Sequence, residues 1–296
     1  MIEFKPINPK DREIFEQFYP YKNIQNAESS FANLCGYSFL YHGEYAIIDN
    51  CLVTRIHFEK DKNICYHYPI GEGEKDHIIE KLILLSKENN QQMSIICETK
   101  QRKSCFAHQF EIKEERNFYD YLYLREDLQE LKGKKFQPKR NHINKFTNKY
   151  KWSFEILNSE NCFQCLELVN LWQEQAIEKT PELKSDYEKE KKVINYFFSN
   201  FEQLNLFAGA IKVEEKIVAF SIGSKINDNT FDVHIEKADR NYEGAFALIN
   251  REMALHIDKN YIYINREEDL GIEGLRKAKL SYNPIKLIEK YFAILK

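Results

Sequence analysis

Thr230-Phe-Asp-Val-His-Ile-Glu-Lys-Ala-Asp-Arg-Asn-Tyr-Glu-Gly-Ala245 is the stretch whose reading decides the fold. Its start alternates strictly. Phe231, Val233 and Ile235 point to one side, and Asp232, His234 and Glu236 to the other. That period of two predicts a strand with one apolar face. The pattern then turns helical, with Phe246, Ile249, Met253 and Ile257 on one stripe and Asp239 or Asn241 placed to cap the helix. Before it, Leu204–Val213 and Lys216–Lys225 are apolar runs joined at Glu214-Glu215, which predicts a hairpin. After it, Tyr261–Ile264 predicts a short strand, Gly271–Lys279 a helix capped by Asp269, and Ile285–Leu295 a closing strand beyond Pro284.

The first half repeats this order. Tyr37–Tyr41 and Tyr45–Ile48 predict a hairpin around Gly43-Glu44, followed by strands at Leu52–Phe58 and Ile64–Ile70. Glu74–Lys87 predicts a helix, Met93–Cys97 a strand, Lys100–Ala107 a short helix and Tyr119–Leu124 a strand. The two series register at an offset of about 168 residues, the distance from Met93 to Tyr261. Two copies of a β-β-β-α-β-α-β unit follow, an α+β chain with domains 1–130 and 131–296. One large α+β domain is the alternative reading.

Composition narrows the class. The chain has 296 residues, with 43% hydrophobic and 14% aromatic residues, enough apolar surface for folded cores. Its 43 Lys+Arg against 46 Asp+Glu exclude a wholly basic nucleic-acid binder. No run approaches the roughly 18–20 apolar residues of a membrane span. No secretory h-region follows the charged Met1–Pro6, and the seven cysteines are odd in number and irregularly spaced. These features predict a cytoplasmic protein. Cys162-Phe-Gln-Cys165 stands without a second ligand pair and reads as helix packing, with redox or metal chemistry the alternative. The eight histidines lack metal-ligand spacing, so no metal is expected.

Three clusters offer chemistry. Leu131–Phe154 carries Lys132, Lys134, Lys135, Lys139, Arg140, Lys145, Lys149 and Lys151 and no acid. It is either a solvated face or a site for phosphate or polyanion, with Lys139 and Arg140 as ligands and His142 lining a cleft. The face Asp232, His234, Glu236 must meet solvent, a cleft or partners, because unpaired buried charge is costly. There, His234 or Glu236 is a candidate general base and Asp232 lines the cleft. Gly244 at the helix opening would let backbone approach donor phosphate. The third cluster, Asn265–Pro284, holds Arg266, Arg276 and Lys279 as candidate phosphate or carboxylate ligands. Asn265 and Asp269 line it, and Tyr282 is a candidate proton donor. An ion-pair network fixing a loop is the alternative.

Four stretches carry a resemblance. Tyr68-Pro-Ile-Gly71, Phe136-Gln-Pro-Lys-Arg-Asn-His-Ile-Asn-Lys-Phe146, His234-Ile-Glu-Lys-Ala238 and Asn265–Pro284 resemble the bacterial family of the phosphatidylglycerol lysyltransferase C-terminal domain. The resemblance spans nearly the whole chain. It implies tandem acyl-CoA N-acyltransferase (GNAT-type) domains, each a mixed sheet flanked by helices, and a relation to Fem-type aminoacyltransferases. The membrane-embedded flippase region of the full lysyltransferases is missing from this sequence. Arg240-Asn-Tyr-Glu-Gly-Ala245 is a degenerate form of the acetyltransferase loop R/Q-x-x-G-x-G/A. The expected function is transfer of an activated acyl group, with acyl-CoA or aminoacyl-tRNA as co-substrate and no tightly bound cofactor. The acceptor would be a small molecule, lipid or peptide, with tRNA a candidate partner. A non-catalytic ligand-binding module and an RNA-associated accessory protein are the competing functions.

Overall fold

Strands buried along most of their length build two mixed sheets. The structure is a computed structural model and describes residues 2–21, 25–58, 62–98 and 108–296. In chain order the strands are β1 (Lys5–Pro6), β2 (Glu44–Ile48), β3 (Cys51–Phe58), β4 (Asn63–His67), β5 (Ile70–Gly71), β6 (Gln92–Cys97) and β7 (Phe110–Glu114). Then come β8 (Asp120–Leu124), β9 (Trp152–Leu157), β10 (Phe207–Val213), β11 (Lys216–Asn227), β12 (Thr230–Ala238), β13 (Tyr263–Asn265), β14 (Lys286–Ile288) and β15 (Tyr291–Leu295). The first sheet runs β1-β2-β3-β4-β6-β15-β7, with β5 on β3. The second runs β14-β8-β13-β12-β11-β10-β9.

The chain divides into two units, one of Met1–Tyr121, Glu267–Arg276 and Leu287–Lys296, the other of Leu122–Arg266 and Lys277–Lys286. This division differs from the expected continuous split at 130/131. The closing strands explain the difference. The strand expected to finish the first copy is β8, which pairs with β13 in the second sheet. The C-terminal strand β15 pairs with β6 and β7 in the first. Local periodicity specifies a strand but not its partner, so this exchange is invisible to pattern reading.

In the first unit, the helix Lys75–Glu88 buries Ile78, Ile79, Leu82 and Ile83 in a core with Ile64, Tyr66, Met93, Ile95 and Ala293. Two expectations fail there. Ser38–Tyr41 is helical, and the first long hairpin turns at Asp49-Asn50. Both turn residues have positive φ, 46° and 59°, which matches the twist a two-residue hairpin needs. The expected helix Lys100–Ala107 lies outside the described residues.

In the second unit, the hairpin β10–β11 turns at Glu214-Glu215 as expected. Helices Gln137–Lys149, Leu166–Lys179, Lys184–Ser199 and Ala245–His256 accompany the sheet. The last begins later than predicted. Asp239 does not cap it; its carboxylate accepts from the Asn241 amide at 3.0 Å and pairs with Lys216 at 3.1 Å. The N-cap is Gly244, at φ 97°. A Cβ there would lie 2.3 Å from the His142 carbonyl oxygen, so glycine lets two helices approach rather than opening space for a phosphate. Cys162 and Cys165 are buried, and burial pushes both thiols up, which suits packing rather than redox exchange.

Candidate active site

A bulge in β12 reorganises the expected ionisable face. Ile235 pairs with Ile222 and Val233 with Gly223, so His234 is an extra residue that the β11 register skips. An extra residue shifts the side-chain alternation beyond it. His234 lies tilted against Phe197, ring centroids 5.3 Å apart, and shares a 2.8 Å hydrogen bond between Nε2 and Ser224 Oγ. Its Nδ1 is 3.4 Å from Asp232 Oδ2, and both side chains are buried. Lys237 emerges on that same side. Its Nζ donates to both Glu190 oxygens at 2.8 Å and sits 3.3 Å from the Trp172 ring centroid. Glu236 emerges on the opposite side, where Asn250 Nδ2 donates to its Oε2 at 3.3 Å. The expected set Asp232, His234, Glu236 is therefore split between two faces.

Glu236 anchors a polar cluster in the second unit. Arg266 Nη2 donates to Glu236 Oε1 at 2.8 Å, and both side chains are nearly buried. Arg266 comes from the end of β13, one residue past the buried Asn265. Its guanidinium carbon lies 4.7 Å from the centroid of the buried Tyr282 ring and 5.7 Å from that of Tyr123. Lys139 Nζ lies 3.8 Å from the Tyr282 centroid and donates to Ser281 Oγ at 2.6 Å. Two cations thus share one aromatic ring, an arrangement that gains from the ring quadrupole. Burial and the Arg266 charge lower Lys139 to about 8, with Glu236 pulling the other way. Burial pushes the Tyr282 phenol up, against the pull of Arg266, so it stays protonated at neutral pH. Lys279 reaches back to the Arg266 carbonyl oxygen, while Tyr123 donates to the Lys279 carbonyl at 2.8 Å.

Of the sequence candidates, the structure brings Glu236, Tyr282, Lys139, Arg266 and Lys279 into one neighbourhood. Others lie elsewhere. Arg140 donates to the carbonyls of Leu131 and Gly133, holding the entry to its helix. His142 is exposed, 3.6 Å from Glu243. Arg276 and Asp269 belong to the first unit and bind each other. Arg276 and Lys279 therefore do not share one ligand face, as their spacing had suggested. The basic segment is also partly neutralised by acids outside it: Lys132 pairs with Glu130, Lys135 with Asp127 and Lys145 with Glu243. Asn250, Ser221 and Ser281 were not singled out by sequence. Asn250, an amide on the buried stripe of an apolar helix, was the one available signal.

Residues 21–294 match the family described as phosphatidylglycerol lysyltransferase, C-terminal. The chain belongs to that family. A crystal structure of a conserved protein of unknown function from Bacteroides thetaiotaomicron is 40% identical, covers 100% of both chains and superimposes with a TM-score of 0.93. The L-PGS structure from Bacillus licheniformis is 14% identical, covers 99% of this chain and 93% of that one, and gives 0.66. More distantly, the fold is shared with a tandem GNAT protein from the clavulanic acid biosynthesis pathway, at 8% identity, 99% and 98% coverage and 0.51. FemX shares it at 8% identity, 99% and 97% coverage and 0.57. An uncharacterized protein of Mycoplasmoides gallisepticum is 27% identical over 175 residues, 58% of this chain and 54% of the relative. The match thus spans about half the length of that curated relative. The architecture is α+β, and its fold is of the tandem GNAT kind. No described helix is long and apolar enough to cross a membrane.

Proposed function

We propose that the chain is a cytoplasmic acyl- or aminoacyl-transferase. It moves an activated acyl group from a phosphate-bearing donor, acyl-CoA or aminoacyl-tRNA, to an amine or hydroxyl of a small molecule, lipid or peptide. The observation that carries this reading is the set Lys139, Tyr282, Arg266 and Glu236: two cations on one buried, protonated phenol, with a carboxylate fixed on the guanidinium. In this scheme Lys139 and Arg266 hold the donor phosphate or polarise the acyl oxygen. Glu236 takes the proton of the attacking group. Tyr282 protonates the leaving oxygen or sulfur and is then reprotonated from solvent. The reading needs no resident cofactor.

The test is a transfer assay with labelled acetyl-CoA and with aminoacyl-tRNA against amines, alcohols, lipids and peptides. Transfer from one donor class is expected, and Glu236→Gln should lower kcat/KM by about 100-fold or more. Absence of transfer from every pair, with tight binding of CoA or tRNA, would replace the transferase by a ligand-binding module.

A further inference from the structure

Strand β11 carries two buried serines on opposite faces of the sheet. Ser221 lies opposite Glu236 across the ladder, and its hydroxyl has no hydrogen-bond partner among the described residues. Ser224 lies opposite Asp232, and its Oγ is 2.8 Å from His234 Nε2. The other nitrogen of that ring, Nδ1, is 3.4 Å from Asp232 Oδ2. A hydroxyl, an imidazole and a carboxylate thus follow one another in the order of a serine nucleophile, its general base and the acid that orients the base. The carboxylate sets the tautomer. A proton on Nδ1 faces Asp232, which leaves Nε2 to accept from the Ser224 hydroxyl.

The backbone is shaped around this trio. His234 joins it because the β11 register skips that residue, and the skip lies inside the sheet, where β12 runs between β11 and β13. Bulges concentrate at sheet edges and beside active sites, and an interior one disturbs the ladder in order to re-aim a side chain. Gly223, next to Ser224, makes room for it. A Cβ there would lie 2.1 Å from the Asp232 carbonyl oxygen. Asp232 is fully buried, Ser224 is 4% exposed and His234 9%. An imidazolium formed there is held by a carboxylate with little water to screen it, and the close surroundings suit a short acyl group.

We propose that Ser224, His234 and Asp232 form a second reaction centre, which takes a short acyl group from an ester or thioester onto Ser224 Oγ and releases it to water. Oγ attacks the acyl carbon while its proton passes to His234 Nε2. The carbon–oxygen or carbon–sulfur bond breaks, and the leaving alkoxide or thiolate takes that proton. A water molecule then attacks the acyl-serine ester and gives its proton to Nε2. The ester bond to Oγ breaks, and Oγ takes the proton back. Asp232 holds the imidazolium in both halves and stays ionised. The products are a carboxylic acid and an alcohol or thiol, with no oxidant or reductant needed. The centre lies on the face of β12 opposite Glu236, so it does not rest on the transferase reading.

The full chain is incubated at neutral pH with p-nitrophenyl acetate and, separately, with a small alkyl fluorophosphonate, then digested and mapped by mass spectrometry. The first probe should acetylate Ser224 and the second phosphonylate it. Release of p-nitrophenolate should show a burst of about one per chain, followed by slower turnover. Ser224→Ala, which removes a single atom, should abolish adduct and burst with an unchanged circular dichroism spectrum. His234→Gln should slow labelling of Ser224 by about 100-fold or more. Ser224→Cys restores a nucleophile and should be acetylated again, a rescue that a purely structural hydroxyl would not give. A folded parent without an adduct on Ser224 would overturn the proposal, and so would labelling at the parental rate in His234→Gln. The two centres fail separately. Labelled Ser224 without transfer to any acceptor upholds this centre and sinks the transferase, whereas transfer without a Ser224 adduct does the reverse.

Discussion

Two carboxylate–guanidinium pairs in this molecule look alike in sequence and behave differently in structure. Asp269–Arg276 lies in the first unit and Glu236–Arg266 in the second. Asp269 is saturated. Its Oδ1 accepts from Arg276 Nη2 at 2.8 Å and the Gly271 amide at 2.9 Å. Its Oδ2 accepts from Tyr121 at 2.5 Å, Arg276 Nε at 2.9 Å and Arg116 at 3.3 Å. Glu236 receives one donor on each oxygen and is surrounded by buried atoms with none. A saturated hub fastens chain segments, because every partner is internal. An incompletely satisfied one keeps valences for a ligand. The first unit holds a second fastener of this kind, Lys290, buried against Asp120 at 2.6 Å and Glu28 at 2.5 Å.

The largest effect should come from breaking the saturated hub. Burial works against ionisation of Asp269, yet the donors from Arg276, Tyr121 and Gly271 hold its carboxyl well below the ordinary range. Asp269→Asn should cost about 3 kcal/mol in urea unfolding, because it leaves buried donors and charge uncompensated. The sign with pH follows from the lowered value. The stabilisation is complete above the unfolded pKa of about 3.9 and is lost as pH falls through the folded one. The variant should therefore show a flatter acid limb of stability than the parent. If Asp269→Asn instead abolished CoA binding while the chain stayed folded, the division between fastener and ligand site would be broken.

A smaller effect sharpens the ligand side. Lys139, lowered to about 8, loses its charge as pH rises through that value. Calorimetric binding of CoA should weaken roughly threefold to tenfold between pH 7 and pH 9, a partly solvated charge being worth little more. Lys139→Arg should bind alike at both, since guanidinium stays charged. An unchanged pH profile in the variant would remove Lys139 from the phosphate site.

The smallest effect concerns the basic segment. Among the described residues, Lys134, Lys149 and Lys151 have no carboxylate within ion-pair range, unlike Lys132, Lys135 and Lys145. Changing those three to Glu should reduce the salt slope of tRNA binding by about one for each of these lysines that neutralises a phosphate. A slope that does not move identifies a solvated face.

Much of the fold was legible because it is local. The β10–β11 hairpin, the strand at Thr230 and the helices near 75–88 and 245–256 follow from periodicity and turn chemistry that neighbouring residues set among themselves. Family membership was legible from four short stretches for a similar reason. Within the site, Glu236, Arg266, Lys139 and Tyr282 announced themselves as charged or polar groups in otherwise apolar or motif-rich segments. Ser221 did not, because a serine in a strand carries no signal until its cross-strand partner is known.

What the sequence determined by itself is the element series, the α+β class and the residue types from which a site could be made. Tertiary structure alone decided three things. It sent β8 and β15 into the sheet other than the one their order implied. It placed a bulge at His234 that turned Glu236 away from Asp232 and His234. It left Asp269 saturated and Arg266 with a donor to spare. The physical reason is common to all three. Strand pairing, register and hydrogen-bond saturation depend on groups distant in the chain, whereas period, capping and turn preference depend on near ones.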